Sequence, residues 1–208
     1  MPRNLVVALP QQVQLEHAAF TTIGSIAMHA YRQSESSLGE VALVIGLGLV
    51  GQLLTQILVA GGVSVVGIDL DCERCRLAEA AGAVCAAVPG SAQWRPALGP
   101  LGADVVFIVA GSDDNTLLEL AASNVRDRGK IVVVGKTALG LDYNTFFKKE
   151  IEVRFSRSYG PGRFDPAYEV AGTDYPFSYV RWTEKRNMAA FVDLLARGRI
   201  DLNPLLRL

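Results

Sequence analysis

Three glycines, Gly46, Gly48 and Gly51, and one carboxylate, Asp69, are the residues whose types and spacing could do chemistry in this 208-residue chain. They occupy the run Val41-Ala-Leu-Val-Ile-Gly-Leu-Gly-Leu-Val-Gly-Gln52 and the end of Val65-Val-Gly-Ile-Asp69. An apolar strand-like run leads into the glycines and a helix-like run leaves them. The acidic residue closes the next strand-like run at about 20 residues, which is the context that makes G-x-G-x-x-G a dinucleotide-binding fingerprint rather than a chance repeat.

Each residue type has a physical task. Gly46 lets the backbone turn sharply from strand to helix, Gly48 leaves its backbone bare for a pyrophosphate, and Gly51 lets the helix pack closely. The N–H groups of the turn and of Leu49 and Val50, with the positive end of the helix dipole, would face the phosphates. Asp69, followed by Leu70, would accept hydrogen bonds from the adenosine ribose hydroxyls. A 2′-phosphate about 4 Å away would be repelled by roughly 4 kcal/mol per unit charge at an effective dielectric of 20, so the expected cofactor is NAD rather than NADP. Arg74 runs against that preference, because a guanidinium five residues past Asp69 can line the ribose or attract a phosphate.

Other chemistry-bearing residues are sparse. Ala110-Gly111-Ser112 and Gly135-Lys136-Thr137 fall where later strands should end, and small residues there leave room for the nicotinamide half. Lys136 and Tyr159 are the nearest proton-handling side chains by topology, yet a surface lysine and a turn tyrosine explain them as well, and no catalytic residue is assigned. Cys72-x-x-Cys75 has the spacing of a zinc or redox pair, but it opens a helix, lacks a second pair, and reads as coincidence. His17 and His29 are the only histidines and have no ligand-spaced neighbour.

Composition sets the outer bounds. Half the residues are hydrophobic and 20% are charged, enough to bury a sizeable core, and the net charge of −1 with no basic block excludes nucleic acid as the expected partner. Three cysteines and no signal peptide point to a reducing cytoplasm. The uncharged run from Val41 to Ile68 is long enough to cross a bilayer, but six glycines interrupt it, and no membrane association is expected.

The elements that must position these residues alternate. An extended lead-in over 1–20 precedes a helix over 21–34. Strands are expected over 41–45, 63–68, 84–87, 104–109, 129–134 and 151–155, with helices over 49–60, 72–81 and 113–124 between them and a closing helix over 184–197. The pattern predicts an α/β fold, a doubly wound parallel sheet of Rossmann type with six strands ordered 3-2-1-4-5-6 and ligands at the strands' carboxyl ends. The last strand leaves an unpaired edge, which a homodimer or a loop from the tail would cover.

The chain resembles the cofactor domain of the medium-chain dehydrogenase/reductase family, the zinc-type alcohol dehydrogenases and their relatives. Glu16-His-Ala-Ala-Phe-Thr-Thr22 is similar to the family's crossing segment, and Val44 to Gly51, Gly67-Ile-Asp69 and Val132-Val-Val-Gly135 match its cofactor-domain motifs. Ser156 to Arg163 and Tyr179 to Asn187 are similar to a bacterial branch in which this half is often fused to a sugar-oxidoreductase-like half. The resemblance implies a crossing segment and lead-in helix over 1–37, a dinucleotide-binding domain over 38–155, and an Arg/Tyr/Gly-rich loop and closing helix over 156–208. It also implies that the family's N-terminal GroES-like domain is absent. Ala18 stands near the position where zinc-dependent members keep a ligand, so no zinc is expected.

Three functions fit these readings. The chain is the NAD-binding part of an oxidoreductase, transferring hydride on an alcohol or sugar derivative, with its substrate pocket supplied by another chain or segment. Alternatively it is a non-catalytic dinucleotide sensor or scaffold, or a small self-sufficient dehydrogenase closed by its own tail.

Overall fold

Residues 2–206 are described by a computed structural model. In chain order the elements are α1 (Leu15–Ala18), α2 (Thr21–Ser34), β1 (Val41–Ile45), α3 (Leu49–Ala60), β2 (Ser64–Ile68), α4 (Cys72–Ala80), β3 (Cys85–Ala87), α5 (Trp94–Ala97), β4 (Ala103–Ile108), α6 (Thr116–Asn124), β5 (Val125–Val133), α7 (Tyr143–Lys149), β6 (Glu152–Phe155), α8 (Pro166–Glu169) and α9 (Glu184–Ala196). Two short 3-10 turns, Arg3–Leu5 and Asn203–Leu205, lie near the ends. The uncharged run that is long enough for a bilayer is divided into β1, α3 and β2, and no described helix is long and apolar enough to cross a membrane.

All six strands pair in parallel, in the order β3-β2-β1-β4-β5-β6. This is the doubly wound topology that the alternation predicts. Along a strand successive side chains point to opposite faces, and both faces of this sheet are covered. Ala42 and Val44 of β1 join α2, α3 and Phe191 of α9 in one apolar layer, while Leu43 and Ile45 join Trp94 and α6 in the other. With cover on both sides, the strands read as continuous apolar runs.

Several boundaries differ from expectation. The lead-in over 1–20 is not wholly extended, since it contains a 3-10 turn and α1. β5 begins at Val125 rather than near 129 because the ladder shifts register between Ala103 and Val105, letting Arg126, Asp127 and Arg128 bulge out. Asp104 pins the bulge, accepting from Arg126 Nε at 2.6 Å and from the Val41 amide at 2.8 Å. Both α7 and α8 are additions to the expected elements. Each is announced by an aspartate cap: Asp142 accepts from the Thr145 amide and Asp165 from the Ala167 amide, each at 2.9 Å.

Candidate functional site

The site begins where β1 ends. Gly46 has φ +97°, and a Cβ there would lie 2.6 Å from the Ala110 backbone nitrogen. At Gly51 a Cβ would lie 2.0 Å from the Gly46 carbonyl oxygen, so the turn closes only on hydrogen. Gly48 is different in kind: its backbone is extended, at φ −63° and ψ −172°, and nothing lies within 4 Å of where its Cβ would be. The empty space over Gly48 is therefore a property of the surroundings, not of the turn's own packing.

The first bond of α3 runs from the Gln52 amide to the Gly48 carbonyl at 2.9 Å, and no side chain caps the helix. The N–H groups of Leu49, Val50 and Gly51 precede that bond, which leaves them for a ligand at the positive end of the helix. Gln52 is buried and holds the turn from beneath, its Nε2 donating to the carbonyls of Leu47 at 3.0 Å and Arg74 at 2.7 Å. Sequence reading did not single out Gln52. A polar residue on the buried face of an otherwise apolar helix was the available signal.

Asp69 follows β2 and is fixed by backbone donors. Its Oδ2 accepts from the Leu47 amide at 2.6 Å and its Oδ1 from the Asp71 amide at 3.0 Å. Arg74 Nη1 stands 3.7 Å from Asp69 Oδ1, while its Nε stands 3.7 Å from Asp71 Oδ2. The guanidinium is thus shared between two carboxylates at the rim of the cleft.

Gly46, Asp69, Leu70, Arg74, Ala110 and Gly111 line one cleft of about 550 Å³ along the carboxyl ends of the strands. That volume lies within the range of small-molecule sites. Ser112 lines it as well, and Pro89, Asp114, Thr116, Leu117 and Leu120 line it too and were not foreseen. Only folding brings the β3 and α6 loops to this edge.

Gly135 and Lys136 lie beside this cleft without lining it. A Cβ on Gly135 would sit 2.4 Å from the Ala110 carbonyl oxygen, and the Ser112 amide donates to the Lys136 carbonyl at 2.9 Å. The Lys136 ammonium points outward to Asp113 at 3.2 Å, both side chains being exposed. Tyr159 is held elsewhere, its carbonyl accepting from Asn187 Nδ2 at 2.9 Å.

The remaining chemistry-bearing residues form no centre. Cys75 lies with its Sγ 3.8 Å from the Asp69 carbonyl oxygen, and burial pushes its thiol pKa up. His29 is buried on α2, and desolvation, with the Arg157 charge second, pushes it down to about 4. Among the described residues no three His, Cys, Asp or Glu side chains are grouped to hold a metal ion.

Comparison with known proteins gives this geometry a family. Residues 50–172 match the model of the zinc-binding dehydrogenases. The 2-dehydro-3-deoxy-L-galactonate 5-dehydrogenase of Pseudoalteromonas atlantica is 30% identical over 207 residues, covering 94% of this chain and 51% of that protein. A probable D-xylulose reductase A of Aspergillus terreus is 28% identical over 185 residues, covering 83% of this chain and 52% of the relative. The crystal structure of galactitol-1-phosphate dehydrogenase from Escherichia coli superposes with a TM-score of 0.74 at 21% identity, covering 98% of this chain and 56% of the other, which shows the shared fold. The chain thus spans about half the length of the curated relatives it matches. By the match over 50–172 and a likeness to these relatives that runs through most of its own length, the chain belongs to the zinc-binding dehydrogenase family, of which it carries the NAD(P)-type dinucleotide-binding fold.

Proposed function

We propose that this chain is the NAD-binding part of an oxidoreductase acting on an alcohol or a sugar derivative, with the substrate pocket completed by residues beyond these 208. One observation carries the reading: the open backbone at Gly48 lies at the uncapped N-terminus of α3, at the end of the sheet where a backbone-anchored carboxylate, Asp69, lines the cleft. The residues fit a dinucleotide. The turn's amides would hold the pyrophosphate, Asp69 the adenosine ribose and Arg74 its rim, while Ala110, Gly111 and Gly135 would leave space for the nicotinamide end. Bound there, the cofactor supplies hydride transfer at its nicotinamide ring.

NAD is assigned over NADP on electrostatic grounds. Asp69 presents a fixed negative charge where a 2′-phosphate would lie, and Arg74 is already engaged by two carboxylates. We assign no zinc ion to this chain: Ala18 offers no ligand, and among the described residues Glu16 and His17 beside it are joined by no third ligand. We assign residues 1–37 to a crossing segment and lead-in helix, 38–155 to the dinucleotide-binding domain and 156–208 to a loop and closing helix packed on it. Pairing of two copies along β6 and a reducing cytoplasmic setting for the free thiols of Cys72, Cys75 and Cys85 complete the proposal.

A second reading, a dinucleotide sensor or scaffold without catalysis, draws support from the cleft lining, which contains no His, Lys, Tyr or Cys to move a proton. NADH fluorescence titration tests what both readings share. Wild type should bind, and Gly48→Val should fold normally yet bind at least about a hundredfold more weakly, because its side chain would fill the phosphate space. Equal binding by the two proteins would remove the site. Turnover on alcohols and sugar derivatives that appears only with a co-purified partner supports the oxidoreductase part. Binding without turnover in any combination supports the sensor.

A further inference from the structure

Arg32, on the last turn of α2, has no hydrogen-bond acceptor and no carboxylate within salt-bridge distance among the described residues, and its Nε is buried. Arg95, Arg181 and Arg199 also lack acceptors, but they are exposed and water serves them. Arg32 is half-buried. Burial, opposed by Tyr31 and assisted by the neighbouring charge of Arg181, pushes its pKa down. A desolvated guanidinium with unclaimed donors carries a standing cost, so its setting asks for an anion.

The setting is a cavity of about 300 Å³ between α2, α3 and α9, away from the cleft at the carboxyl ends of the strands. Its polar residues are Tyr31, Arg32 and Asp193, and the guanidinium carbon of Arg32 lies 3.7 Å from the ring centroid of Trp182, which also carries the exposed Arg181 at the same distance. Stacking on an indole fixes the plane of a guanidinium and leaves its in-plane N–H groups directed sideways, the fork that a carboxylate takes with two parallel hydrogen bonds. Met28, Ile57, Ala60 and Leu194 supply the cavity's apolar side. Among the described residues the only carboxylate on the lining is that of Asp193, which is 3.0 Å from Arg197 Nε. Arg32 as the cation on the lining, set on an apolar floor with a carboxylate across the space, suits a monoanion and disfavours a phosphate dianion.

We infer that this cavity is a second ligand site, selective for a small carboxylic acid with an aromatic or branched apolar body, its carboxylate held by Arg32 and its body lying on Met28, Ile57 and Leu194 beside Trp182. The dinucleotide turn sits at the N-terminus of α3, whereas Ile57, Ala60 and Gly61 belong to its other end. The two sites therefore fill independently.

Benzoate and benzamide test the inference on the whole chain, because they share size and ring and differ in charge. The chain has two tryptophans, and Trp94 is fully buried on the opposite face of the sheet, so a ligand here acts on Trp182. Benzoate should change tryptophan fluorescence saturably, benzamide should bind at least about tenfold more weakly, and saturating NADH should leave both unchanged. Trp182→Phe should abolish the signal while calorimetry still registers benzoate, and Arg32→Gln should erase the preference for benzoate over benzamide. Equal binding of the two ligands by wild type, no saturable benzoate binding by either method, displacement of benzoate by NADH, or a benzoate preference that survives in Arg32→Gln would each overturn it. The wild-type comparison of the two ligands stands even if a variant fails to fold.

Discussion

Asp69 enters the cleft with each of its oxygens already accepting one backbone hydrogen bond, from Leu47 and from Asp71. A carboxylate oxygen has a second lone pair, so the side chain keeps one free acceptor site on each oxygen for a ribose hydroxyl while its position is fixed. Replacement by Asn converts one oxygen into a donor facing either a backbone N–H or the ribose, and it removes the negative charge. Asp69→Asn should therefore weaken NAD binding by about tenfold and narrow the gap to NADP by at least as much. Parallel titrations with both cofactors check this, and an unchanged affinity ratio would mean that Asp69 does not select. Gly46 and Gly51 were legible from sequence because the turn tolerates so few alternatives there, whereas Gly48 and Asp69 were legible through their spacing from those two. The hydrogen bonds that orient Asp69, and the service of Gln52 beneath the turn, come from contacts between residues distant in the chain and were not legible.

At the scale of elements, β6 is one of the two edge strands of the sheet, with β3 at the other edge. The Ser156 amide donates to Val133, so by alternation the amides of Arg154 and Glu152 also face β5, and those of Val153 and Phe155 face away. Proline at Phe155 removes an outward donor and spares the β5 ladder. If two copies pair through this edge, sedimentation should report a dimer for wild type and a monomer for Phe155→Pro. The same mass for both proteins would exclude the pairing. α2, β1 and α3 were readable to the residue because apolar period and glycine breaks coincide there. The start of β5 was not, because its bulge depends on Asp104 binding both Arg126 and the Val41 amide.

For the whole molecule, two buried titratable groups report how the segment from 157 to 183 and α9 dock on the sheet's helices. Glu184 is buried, and burial, then the Glu169 charge, raise its pKa from 4.5 to about 7 against the opposing pull of Arg163. Native protein then holds a proton that the unfolded chain has lost, so this contribution to stability is full below 4.5 and is lost as pH rises through about 7. His29, lowered from 6.5 to about 4, acts in the opposite sense: its contribution is present above 6.5 and is lost as pH falls through about 4. Glu184→Gln should raise stability near neutral pH relative to acid pH by roughly 1–3 kcal/mol, read from urea unfolding across that range. Superimposable pH profiles for wild type and variant would show that Glu184 is not desolvated.

Sequence by itself determined the parallel α/β class, the strand order and the turn at Gly46, Gly48 and Gly51, since apolar period and steric exclusion are local properties that a linear pattern displays. Tertiary structure alone decided that Pro89 and α6 join the cleft, that Lys136 points away from it, and that Arg32 meets Trp182 across 150 positions of chain. Those outcomes depend on where crossovers and loops place distant side chains, and the spacing of residues along a chain does not encode that distance.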